Sequence, residues 1–297
     1  MPQNSKIVIR NLIKSMRLRT LPLSLAGVVC GGLLAINKPG GSDLVFTLVM
    51  LTACLLQVLS NLSNEMGDHL SGVDGEDREG PNYSMSEGGL TVKQMWRAIN
   101  GTVVACCISG LTMVLVSGSP WWVLILGAAA IWAATHYTLG KSPYGYKGLG
   151  DIFVFIFFGL VSVLGSYSVV AHTLDWKLYV IMPAIGIGLL SVAVLNVNNI
   201  RDMASDEGIR RTIPLRIGER RAKWYQTFLV VIGAGCFYVT PLGVLLWGLP
   251  IPLFFFTLWE YGNDTVKTWT RCCPFLCLAH FFRLYFMEVG CNNGIRF

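Results

Sequence analysis

Two short stretches of an otherwise apolar chain carry side chains that can handle charge. Asn61, Asn64 and Asp68 are spaced i, i+3, i+7; Asn198, Asp202 and Asp206 are spaced i, i+4, i+8. On a helix either spacing gathers three side chains on one face. Each set closes a long hydrophobic run, where a carboxylate costs free energy, roughly 2.5–3.5 kcal/mol nearer a bilayer centre, and wants a partner. Carboxylate oxygens and amide carbonyls are hard donors suited to Mg2+, which keeps positions for phosphate oxygens and water when only one or two carboxylates bind it. Arg78, Lys141, Arg201, Arg211 and Arg216 lie close by in sequence and can hold further phosphate charge. The chemistry expected is therefore a magnesium-bridged diphosphate held between two acidic sets. A third polar stretch, GKSPYGYKGLGD over Gly140–Asp151, turns on its Gly and Pro and offers Tyr144 and Tyr146. It reads either as a lid or acceptor-binding element over the cavity or as an ordinary connection with interface tyrosines.

The elements that must carry these residues are membrane helices. Apolar residues make up 53% of the 297-residue chain and charged residues 13%, about half the usual share of a soluble domain. Mean hydropathy is +0.56. Runs of roughly 20 apolar residues cross a bilayer as helix, and nine candidates appear, at about 18–36, 43–62, 97–117, 121–139, 149–171, 178–197, 224–240, 242–259 and 271–290. The fold expected is all-α, a polytopic bundle of about nine transmembrane helices with cytoplasmic polar caps, in a single domain over 1–297. A β-barrel would instead show short alternating strands.

Lysine and arginine set the orientation. The N-terminal tail holds Lys6, Arg10, Lys14, Arg17 and Arg19, and the loops that would share its side hold Arg78 and Lys93, Lys141 and Lys147, then Arg201 to Lys223, and Lys267. The opposite loops hold only Lys38 and Lys177. The N-terminus and the polar sets are thus expected on the cytoplasmic side. Basic loops facing an anionic leaflet account for the net charge of +6 without nucleic acid as a partner. The first run lacks a clean cleavage pattern and reads as an uncleaved helix. Of nine cysteines, five sit inside apolar runs, where cysteine acts as a small hydrophobe, and the last four lack a His at zinc spacing.

Four stretches resemble the UbiA superfamily of intramembrane prenyltransferases: RLRTLPLSLAG (Arg17–Gly27), NLSNEMGDHLSGVDGEDREGP (Asn61–Pro81), YGYKGLGDIFVFIFFGLVSVLG (Tyr144–Gly165) and NNIRDMASDEGIRRT (Asn198–Thr212). The tyrosine-rich loop is most similar to the family's 1,4-dihydroxy-2-naphthoate branch, of menaquinone biosynthesis. The resemblance implies Mg2+ held by Asn64, Asp68 and Asp74 and by Asn198, Asp202 and Asp206, with Arg78 and Arg201 as accompanying basic positions. Glu65 stands where Asp is commoner, and Asp74 falls two residues later than in the hydroxybenzoate branch. Substrate contacts are expected from Asn61, Asn64, Arg78, Lys147, Arg201, Arg211 and Arg216, and catalytic roles from Asp68, Asp202, Lys141 and Tyr144. The implied partners are a polyprenyl diphosphate, an aromatic acceptor and the bilayer of a bacterial inner membrane; the oligomeric state is open. Pro214 is expected to end or kink a helix.

Other readings remain at this point: the same chemistry on 4-hydroxybenzoate, homogentisate or haem, a scaffold without turnover, or a cation transporter using its carboxylates for passage. The C-terminal segment 269–297 stands apart as atypical. Arg271, His280, Arg283 and Glu288 fall in or around the ninth run, and four of the nine cysteines cluster there.

Overall fold

A computed structural model describes residues 5–36, 38–72, 84–85 and 89–239. Asp74, Arg78, the eighth and ninth apolar runs and the atypical segment 269–297 lie outside the described residues. Those described form helices and turns without a strand. The helices are α1 (Ser5–Ser15), α2 (Leu21–Ile36), α3 (Asp43–Ser71), α4 (Val92–Ser117), α5 (Trp122–His136), α6 (Gly150–Ala171), α7 (Leu178–Arg201) and α8 (Glu219–Gly235). Four of these, α3, α4, α6 and α7, are long and apolar enough to cross a membrane; α2 and α5 are shorter apolar helices. The first seven expected runs thus fall on α2 to α8, and the count of nine is not reached within the described residues.

Local chemistry sets the ends. The Ser42 hydroxyl accepts from the Val45 N–H at 3.4 Å to open α3, and Gly72 closes it in a left-handed conformation, φ 75°. Thr91 and Gln94 form a reciprocal capping box at the start of α4. α3 runs about two turns past its apolar stretch, so Asn61, Asn64 and Asp68 are helical. α4 presents Val104, Ile108, Leu111 and Leu115 outward at i, i+4, i+7, i+11, the stripe expected of a helix that faces lipid. α1 packs on α3, with Val8, Leu12 and the following Met16 against the buried cluster that holds Leu59, Leu62 and Met66.

α6 is the unusual element. Its centre, Phe155–Gly165, is wound with i→i+5 hydrogen bonds, wider than an α-helix. This segment packs on α7 and α2 through glycines. A Cβ on Gly159 would stand 2.6 Å from the Gly188 Cα, and one on Gly31 would meet the Val163 carbonyl at 2.2 Å. The backbones therefore touch, as membrane helices do where small residues meet. Between α7 and α8 an apolar cluster of Val192, Ala193, Leu229 and Val230 is joined by a polar contact: the fully buried Asn196 donates to the Ala222 carbonyl at 3.2 Å and to Gln226 Oε1 at 2.9 Å.

Candidate active site

α3 and α7 bring the two polar sets to one place. Asn64 and Asp68 from α3, with Asn198, Arg201 and Asp202 from the end of α7, line a single cavity of about 840 Å³. Its wall continues along one face of α5, from Ala134 through Ala130 and Gly127 to Trp122, roughly 18 Å at 1.5 Å per residue. Phe153, Phe157, Val161 and Ser166 of α6 line the other side. The cavity is thus polar at the end where the acidic sets meet and mainly apolar over the rest of its length, with hydroxyls such as Thr52, Ser162 and Ser166 in its wall.

Asp68 is 4% exposed. Tyr146 donates to its Oδ1 at 3.1 Å, and the Arg210 guanidinium is ion-paired with the same oxygen. Arg210 Nε also lies 3.3 Å from Oδ1 of the buried Asp206. One guanidinium therefore joins the first acidic set to the second. Its carbon sits 4.7 Å from the centre of the Tyr146 ring, a cation–π contact. Burial disfavours the Arg210 charge, but Asp68 and Asp206 outweigh that and hold its pKa above the ordinary value. Burial, followed by the Asp68 charge, likewise pushes the Tyr146 phenol up.

In the second set Arg201 grips Asp202 with a two-bond fork, Nε–Oδ1 2.7 Å and Nη2–Oδ2 2.6 Å, and its Nη1 donates to Asn198 Oδ1 at 3.3 Å. The set is not one continuous helical face. α7 ends at Arg201, Asp202 leaves helical geometry, and Met203–Asp206 forms a separate turn. Pro214 does not end a helix, contrary to expectation. It lies in the first turn of Ile213–Ile217, where a missing N–H costs nothing.

The third polar loop folds over this end. Tyr144–Lys147 forms a tight turn closed by Gly148 at φ 80°, where a Cβ would also strike the Arg211 carbonyl at 2.3 Å. The Arg211 N–H donates to the Tyr146 carbonyl at 3.0 Å, and Arg216 Nη2 to the Lys147 carbonyl at 2.9 Å. Tyr144 is buried, gives its hydroxyl to the Ala133 carbonyl at 2.8 Å and stacks on Phe153 with centroids 3.9 Å apart. Its hydroxyl is thus already committed to a backbone carbonyl. Tyr137 and Trp132 extend this aromatic group.

Several expected site residues do not reach the cavity. Asn61 is buried and turned to the α1–α2 junction: it donates to the Met16 carbonyl at 2.8 Å and Thr20 Oγ1 at 2.9 Å and accepts from Gln57. Lys141, Lys147, Arg211 and Arg216 are exposed and absent from the cavity wall. Glu65 is fully buried away from the metal motif, where its Oε1 accepts from Ser15 and from the Met85 N–H, both at 3.1 Å. Conversely, Arg17 and Arg210 line the cavity without having been singled out. Arg210 was readable in principle, since it stands i+4 from Asp206, an ion-pair spacing on a helical turn.

The description "UbiA prenyltransferase family" matches residues 24–271, most of the chain. The protein belongs to that family. It is 44% identical over 243 residues to the 1,4-dihydroxy-2-naphthoate octaprenyltransferase of Escherichia coli (strain K12), covering 80% of this chain and 78% of the relative. To the protein of the same name in Mycobacterium tuberculosis it is 33% identical over 223 residues, 74% of this chain and 75% of the relative. Among solved structures it is similar in fold to a UbiA homolog from Archaeoglobus fulgidus bound to GPP and Mg2+, with a TM-score of 0.64 at 14% identity, covering 92% of this chain and 98% of that one. A digeranylgeranylglyceryl phosphate synthase gives a TM-score of 0.55 at 15% identity, covering 92% and 97%. This UbiA-family chain is accordingly an integral membrane protein.

The donors of its cavity suit a hard cation. Among the described residues no three acidic, histidine or cysteine side chains form a closed metal cage. What lines the cavity instead is two carboxylates, Asp68 and Asp202, with the side-chain amides Asn64 and Asn198 of the two polar sets beside Gln57 and Asn199. A set that small fits Mg2+ only if phosphate oxygens or water complete the coordination.

Proposed function

We propose that this membrane prenyltransferase moves a polyprenyl group from its diphosphate onto 1,4-dihydroxy-2-naphthoate, with loss of the acceptor carboxylate as carbon dioxide, as in menaquinone biosynthesis. The observation that carries the reading is the shared cavity: both polar sets open on its one polar end, and an apolar channel leads away from them. The naphthoate acceptor rests on the names of relatives up to 44% identical.

In this reading Asp68, Asp202, Asn64 and Asn198 hold Mg2+, with Asp206 behind them and Asp74 completing the first motif. Mg2+ when bound neutralises the diphosphate and stabilises it as a leaving group. Arg17, Arg201 and Arg210 line the polar end and take the remaining phosphate charge, with Arg78. The isoprenoid lies along the faces of α5 and α6. As the allylic carbon–oxygen bond breaks, positive charge grows on carbon beside the rings of Tyr144, Phe153 and Phe157, whose faces attract a cation. The electron-rich naphthoate carbon then forms the new bond and its carboxylate departs. The apolar wall keeps water from trapping the cation. The active end faces the cytoplasm, where the basic loops lie.

The test is to incubate the purified protein in lipid with Mg2+, a polyprenyl diphosphate and, separately, 1,4-dihydroxy-2-naphthoate, 4-hydroxybenzoate and homogentisate, and to weigh the products. A prenylated, decarboxylated naphthalene product is expected. Turnover of 4-hydroxybenzoate with none of the naphthoate refutes the acceptor but not the chemistry.

A further inference from the structure

Arg210 has a position that the transfer reaction by itself does not require. It is the guanidinium that fastens Asp68 on α3 to Asp206 beyond the end of α7, and it lies under the ring of Tyr146 from the third loop. The Arg201–Asp202 fork joins neighbours in the chain and holds no elements together. Arg210 is only 12% exposed, so its charge is met by protein groups rather than by water.

The Asp68 oxygen that pairs with Arg210 is also the one bound by Tyr146. A metal coordinated at that carboxylate would place a dication within a few ångströms of the guanidinium, and the two repel. We infer that Arg210 is a resident counter-ion that holds the acidic sets together in the empty enzyme, competes with Mg2+ for Asp68, and turns to the diphosphate when metal and substrate arrive together. This inference rests on the metal–diphosphate reading above. It makes binding of the two synergistic. Metal alone meets a site whose charge is already answered. Metal with diphosphate brings enough negative charge to draw the guanidinium off the carboxylates. The consequence is protective: the carboxylates stay together and paired until substrate is present, and Arg210 is delivered to the leaving group by the same event that loads the site.

The experiment uses full-length protein in lipid nanodiscs, with Mn2+ standing in for Mg2+. Free Mn2+ is read by electron paramagnetic resonance, and farnesyl thiodiphosphate, a non-ionising substrate analogue, is titrated at saturating Mn2+. In Arg210→Met, Mn2+ alone should bind about tenfold tighter and the thiodiphosphate about tenfold weaker, the scale of one charge contact. A residue needed only for folding would weaken both, so the opposite signs are diagnostic. Arg220→Gln, on the exposed face of α8, should change neither. If Arg210→Met does not fold, Arg210→Lys, which keeps the charge but cannot reach both carboxylates with separate N–H groups, should tighten Mn2+ and weaken the thiodiphosphate, each by about threefold. Unchanged or weaker binding of Mn2+ alone in the variant that folds overturns the inference and leaves the metal–diphosphate reading standing. Wild-type protein that retains no Mn2+ even with the thiodiphosphate overturns both.

Discussion

At the scale of single residues, the site depends on what each polar group is already bonded to. Tyr146 donates to Asp68 and also meets Ser71, 2.7 Å away, so it orients the carboxylate. Burial holds its phenol above the ordinary tyrosine range, so it stays protonated and able to donate throughout neutral pH. Tyr146→Phe should therefore lower kcat/KM by about ten- to a hundredfold, the value of one hydrogen bond to a charged group, without changing the shape of the pH profile between 6 and 9. A new pH limb in that range would contradict this. Asn61→Ala should act differently. Its amide ties α3 to Met16 and Thr20, so the loss should be in stability, about 1–3 kcal/mol for stranded buried partners, with affinity for the diphosphate kept. Thermal unfolding and a substrate titration on the same sample separate the two. The spacing of the Asn and Asp residues was legible in sequence because helix periodicity is local. Arg210 was harder to single out from Arg211 and Arg216, since only tertiary packing decides which one turns inward. Asn61 shares the face of Asn64 by periodicity, yet its partner is a carbonyl 45 residues earlier, which no local pattern reveals.

At the scale of elements, close helix contacts hold the two polar sets in register. Gly159 and Gly188 let α6 and α7 meet backbone to backbone, so Gly159→Val should destabilise the bundle by about 1–3 kcal/mol or prevent its folding. Unfolding in mild detergent measures this, and a wild-type midpoint would argue against the contact. Gly67 faces Thr138, where a Cβ would meet the Thr138 carbonyl at 2.6 Å. Gly67→Ala should push α3 from the end of α5 and cut transfer by more than tenfold, with folding largely kept; transfer at the wild-type rate in the folded variant would contradict this. Helix positions followed from apolar run length, because a bilayer imposes it. Helix ends followed less well. α3 extends past its apolar run because Asn and Asp face a cavity and not water, and the wide winding of Phe155–Gly165 answers small residues on α2 and α7. Pro214 was misjudged because proline stops a helix from within but suits its first turn.

At the scale of the whole molecule, hydropathy was enough to give a bundle of membrane helices, and the family match agrees with that reading. What no pattern could provide was the cavity: its volume arises from α5 packing on α3 and α4 while α6 packs on α7 and α2. Removing divalent metal with EDTA should abolish transfer, and Mg2+ should restore it without refolding, since arginines hold the empty site. Loss of helical circular dichroism on chelation would contradict that. The claim beneath the whole account is that the two polar sets act on one bound diphosphate. Its most direct test is the transfer rate of Asp68→Ala and Asp202→Ala, each purified in lipid and shown to be folded. Both should fall about a hundred- to a thousandfold, as when a group stabilising a leaving charge is removed. Wild-type turnover by either variant would mean that its set lies outside the reaction.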